Sequence, residues 1–84
     1  MAKRATTPGT RDDRYVAIIG RLSAQRRELG LTQAQVAQRL GLHKQWVSRV
    51  ELGERRLDIV ELADFARAVG LDPLDLMAAI PERT

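Results

Sequence analysis

The chain contains no cysteine and a single histidine, His43. Disulfides and thiolate metal ligands are excluded, and no metal centre is expected from one imidazole. No apolar run approaches the length of a membrane span or a signal-peptide core. The reading is therefore a soluble, cytoplasmic chain with no membrane partner. No segment shows the strict alternation of a half-buried strand, which argues against a sheet. Catalytic constellations are also lacking. Ser48 is the one candidate nucleophile, with no base beside it held by a third group. The acidic pairs Asp12/Asp13 and Asp72/Asp75 sit where helix starts favour negative charge. Neither enzyme chemistry nor a cofactor is expected. At 84 residues the chain has room for one domain, whose small core gains from a partner subunit.

The net charge of +3 conceals a gradient. Residues 1–25 carry +3 and residues 26–56 carry +4, whereas residues 57–84 carry −4. Such a distribution suits a polyanion on the basic side, and equally suits a solvated surface with chance asymmetry.

Punctuation along the chain divides it into five helices. Residues 1–10 have no apolar period and read as a flexible basic arm. Thr10 is the expected start of a helix in which Tyr15, Ile18, Ile19, Leu22 and Leu29 recur at helical spacing. Gly20 inside it suggests a close contact with another helix. Gly30, Gly41, Gly53 and Gly70 each follow an apolar run and read as helix stops. Thr32 with Gln35 and Asp58 with Glu61 fit capping boxes, and Asp72-Pro73 fits a cap followed by proline in the first turn. The expected spans are about 11–29, 33–40, 44–52, 59–69 and 73–80, followed by a tail at 81–84. The fold class is all-α, with a helical domain over 11–80.

Only about three residues, with Gly41 among them, separate the two short helices 33–40 and 44–52, so these must cross steeply. Val47 and Val50 define the inward face of the second. Gln45, Ser48, Arg49 and Leu52 then point outward, and Lys44 and Trp46 lie on the flanks. An amide, a hydroxyl and a guanidinium on one stripe suit base edges in a DNA major groove. Taken alone, the stripe reads first as the solvated face of an ordinary amphipathic helix, because polar stripes are commonplace.

The run GLTQAQVAQRLGLHKQWVSRVELGERR, residues 30–56, resembles the phage-repressor/Cro-like (xenobiotic-response-element type) helix-turn-helix family. The matching features are Leu31-Thr32-Gln33, Val36-Ala37, Leu40-Gly41, Val47-Ser48, Glu51 and Gly53. Leu62, Phe65-Ala66, Val69-Gly70 and Asp72-Pro73 extend the match, so that it covers about residues 14–80. The resemblance implies a five-helix repressor-like domain whose helix 44–52 is the recognition helix. It places His43, Lys44, Gln45 and Arg49 at base-reading positions and Gln33 at a phosphate. It also implies an ion pair between Arg26 and Glu51.

Arg39, Ser48, Arg55 and Arg56 are further phosphate candidates. Trp46 is larger than usual for its position; it is expected to pack half-buried against the next helix, with its indole N–H available to a phosphate. His43 replaces the usual small cap, which leaves a base contact, a phosphate contact or simple solvation open. Lys3, Arg4 and Arg11 would add sequence-independent affinity. Leu74, Met77 and Ile80 form an apolar stripe that either closes the core or meets its own copy in a homodimer.

The expected function is a sequence-specific, double-stranded-DNA-binding transcriptional regulator that acts as a homodimer on an operator, with the apolar stripe read as the dimer interface, in the cytoplasm and associated with the nucleoid. An antitoxin or interaction module with an unknown protein partner, and a restriction–modification controller, use the same fold.

Overall fold

The start of each helix is set by a side chain that satisfies the amides the helix itself leaves unpaired. In the computed structural model, which describes residues 12–83, five helices follow one another: α1 (Asp13–Glu28), α2 (Gln33–Leu40), α3 (Lys44–Glu51), α4 (Ile59–Ala68) and α5 (Pro73–Ala78). Thr32 and Asp58 accept from the Gln35 and Glu61 amides, and the Gln35 and Glu61 side chains return the bond to the cap amides. Both reciprocal boxes lie where the sequence places them. Asp72 caps α5, with Pro73 in its first turn. No strand occurs among the described residues.

Three sequence expectations differ from the structure. The cap of α1 is Asp12, whose carboxylate accepts the Arg14 amide at 2.9 Å; the expected start at Thr10 lies outside the described residues, as do Lys3, Arg4 and Arg11. Gly20 makes no close helix contact: a Cβ built there meets nothing within 4 Å, and the residue is exposed. The last helix stops at Ala78, so Ile80 lies beyond it and does not continue the Leu74–Met77 face as helix. Pro81 disfavours helical backbone at the residue before it, which accounts for the early stop.

The core is built from one face of each helix. Leu22 of α1, Val36 of α2, Val47 and Val50 of α3, Phe65 of α4, Val69 at its C-terminal cap and Leu76 of α5 are fully buried. Val36 and Ala37 bury the inner side of α2, and small Ala37 suits close packing of α2 on α3. Between those two helices Gly41 takes φ 69°, the left-handed conformation that favours glycine, and the Leu42 amide closes the turn on the Ala37 carbonyl at 2.9 Å. This turn redirects the chain from α2 into α3 within three residues. Among the described residues, no helix is long and apolar enough to cross a membrane.

Candidate nucleic-acid interface

Burial of Val47 and Val50 fixes which way α3 faces. At about 100° per residue, Gln45 and Leu52 point opposite to those valines and Arg49 nearly so. Gln45, Arg49, Lys44 and His43 are all exposed. Among the described residues none of these four side chains is held by a hydrogen bond or ion pair. His43 occupies the cap position of α3 without a side-chain capping bond, leaving amides at that helix start open to an outside acceptor. Ser48 is half-buried at the edge of the stripe.

Trp46 and Glu51 fall about 70° to either side of the buried valines, so they flank α3 on opposite sides. Each flank is tied to a different helix. On one, Glu51 accepts from Arg26 of α1 through Nε at 2.7 Å and Nη2 at 2.8 Å, a two-point pair. Side-chain exposure is only 10% for Arg26 and 6% for Glu51. Arg26 Nη1 also donates to the Leu31 carbonyl at 2.9 Å, and Gln33 Nε2 donates to Glu51 at 3.0 Å. The buried Ser23 hydroxyl sits near the same carboxylate without a close hydrogen-bond partner. On the other flank, Trp46 packs on Phe65 of α4, ring centroids 6.2 Å apart, and the Arg55 guanidinium lies over the indole at 5.2 Å.

Burial pushes the Glu51 carboxyl upward, but the bonds from Arg26 and Gln33, with the nearby Ser23 hydroxyl and the charge of Arg26, outweigh it and hold the group below its usual value. A carboxyl depressed in the folded state stabilises the fold above its unfolded pKa, and that contribution disappears as pH falls through the folded value. Glu61, depressed chiefly by its bond to Arg55, acts in the same direction. The melting temperature is therefore expected to hold steady from pH 7 to about 5 and to fall below about pH 4, the usual carboxyl range. Thermal melts across that range check this; a melting temperature that rises on acidification would contradict the pairing.

The comparisons with known proteins meet this geometry. A family model described as "Helix-turn-helix domain" matches residues 20–80. A solved structure, an XRE-family like protein from Pseudomonas syringae pv. tomato str. DC3000, superposes with a TM-score of 0.78 at 40% identity. The match covers 82% of this chain and 84% of that one. The uncharacterized HTH-type transcriptional regulator y4dJ of Sinorhizobium fredii (strain NBRC 101917 / NGR234) is 37% identical over 57 residues, 68% of this chain and 74% of the relative. The chain belongs to the XRE/Cro-like helix-turn-helix DNA-binding family.

Within this XRE-type domain, several side chains expected at phosphates are engaged inside the protein. Arg39 donates to the Ala68 carbonyl at 2.8 Å, satisfying an end of α4. Arg55 makes a two-point pair with Glu61, both bonds at 2.9 Å. Gln33 is turned onto Glu51, although it still opens α2. Trp46 is half-buried, as its flank position suggested. Arg56 is exposed.

Sequence reading missed the Tyr15 hydroxyl, which accepts the Leu57 amide at 3.0 Å and pins the α3–α4 connection to α1. No local pattern announces a bond across 42 positions. The charge partner of Glu61 was also missed, although the residue itself stood out through its capping box.

Proposed function

We propose that the protein is a sequence-specific regulator that binds duplex DNA as a homodimer and seats α3 in the major groove. One observation carries this reading: the outward face of α3 presents Lys44, Gln45 and Arg49 exposed and uncommitted, while four other arginines, Arg14, Arg26, Arg39 and Arg55, are engaged intramolecularly. Arg suits the paired acceptors of guanine, and Gln suits adenine. His43 and the open amides at the start of α3 stand at the rim, where a base edge or a phosphate would lie. Gln33, Ser48 and Arg56, with the amides at the start of α2, supply the phosphate contacts that set register.

The homodimer reading is supported by exposed apolar residues on α5 and just after it. Leu74 is 72% exposed and Met77 41%, and Ile80 is also exposed. A single recognition helix reads a short half-site, and a two-fold pair reads two of them about one turn apart. Regulation follows from occupying an operator.

Arg49→Ala is expected to cost about 1–3 kcal/mol on the cognate site and to relax the preference at one base pair. Fluorescence anisotropy against the cognate duplex, its single-base variants and a shuffled duplex measures this. An equal loss on every sequence would remove Arg49 from the base-reading set.

A further inference from the structure

The second clamp on α3 has a use that concerns recognition, and it rests on the DNA-binding reading above. Val47 and Val50 seat α3 on the core but do not by themselves stop it rolling about its own axis. Glu51 restrains the roll on one flank through Arg26. On the opposite flank the only tryptophan of the chain, Trp46, contacts both the Phe65 ring and the Arg55 guanidinium.

Arg55 is itself held in place. The Glu54 and Arg55 amides both donate to the Arg49 carbonyl, at 2.9 and 3.2 Å, folding the chain back at the end of α3. The Arg55 guanidinium then meets both oxygens of Glu61 and adds a bond to the Arg56 carbonyl at 3.2 Å. Glu61 cannot wander, because its Oε1 also accepts the Asp58 amide at 3.0 Å in the α4 capping box. A continuous chain of contacts thus runs from the recognition helix, through Trp46, Arg55 and Glu61, to the first turn of α4.

We infer that Arg55 and Glu61 are positioning residues: their pair clamps Trp46, sets the roll of α3, and so determines where Lys44, Gln45 and Arg49 meet the bases. A roll of about 10° moves a side-chain tip on the ~5–6 Å helix radius by about 1 Å, a displacement that spoils hydrogen-bond geometry at a base edge. A guanidinium paired at two points with a carboxylate has its charge already balanced, so holding a phosphate would require it to release Glu61. Lysine cannot replace it in this role, since the clamp uses the planar fork on Glu61 and the flat face on the indole.

The two roles for Arg55 predict opposite signs. Glu61→Gln keeps the capping acceptor but removes the charge that holds Arg55. If Arg55 positions α3, Glu61→Gln, Arg55→Lys and Arg55→Gln each weaken binding to the selected duplex about tenfold. Binding to a shuffled duplex and its salt dependence stay nearly unchanged. Trp46 emission shifts in all three variants without DNA, while circular dichroism shows them folded. A phosphate clamp would instead make Glu61→Gln bind both duplexes more tightly and leave Arg55→Lys like the parent. Arg55→Gln would then lower the salt slope by about one contact; any of these results overturns the positioning role. If the parent selects no DNA motif at all, the DNA-binding reading falls and takes this inference with it. If it selects one that the variants bind equally well, only the clamp is refuted.

Discussion

Glu51→Ala is expected to destabilise the fold by about 3–5 kcal/mol, because it strands a guanidinium that has little access to water. Arg26 would keep its bond to the Leu31 carbonyl but lose both bonds to the carboxylate, and Gln33 would lose its acceptor. Domains of this kind are stable by only about 5–15 kcal/mol in total, so the loss takes a large share of what is available. Replacing both partners with apolar residues of similar size, Arg26→Met with Glu51→Leu, is expected to recover most of that loss. The cost comes from the uncompensated charge more than from a large net value of the pair. Chemical denaturation of the two single variants and the double variant separates these contributions. A Glu51→Ala protein within about 1 kcal/mol of the parent would show that the pair is more hydrated than its burial implies.

Phe65→Ala is the other large effect, again about 3–5 kcal/mol. Phe65 is fully buried, and its ring supports Trp46 on the flank of α3. Removing it opens a cavity between α4 and α3 that the small side chain of Ala66 beside it cannot fill. Phe65→Leu, which retains more of the volume, is expected to lose less. The single tryptophan gives a direct readout: its emission should shift to longer wavelength in Phe65→Ala as water reaches the indole. Unchanged emission together with an unchanged unfolding midpoint would contradict the packing of Trp46 on Phe65.

Where a role depends on neighbours in sequence, it was legible. The capping boxes at Thr32 and Asp58 follow from residues three apart, and the buried face of α3 from the spacing of Val47 and Val50. The Arg26–Glu51 pair was implied by family resemblance, and periodicity allowed it without demanding it. The destinations of Arg39 and Arg55 were not legible. A long flexible arginine takes whichever acceptor the tertiary structure brings within reach, here the Ala68 carbonyl and the Glu61 carboxylate. Basic residues next to a recognition helix invite a phosphate role on charge alone, and a nearby acid on another helix redirects them. The start of α1 was misplaced because Thr10 and Asp12 are both good caps, and sequence provides no way to rank two caps two residues apart.

The most direct test is selection of bound duplexes from a random DNA pool at near-physiological salt. The expected result is one enriched motif with two inverted half-sites about one helical turn apart, lost when Lys44, Gln45 and Arg49 are all replaced by alanine. Binding that is sensitive to salt but enriches no sequence would contradict base reading by α3.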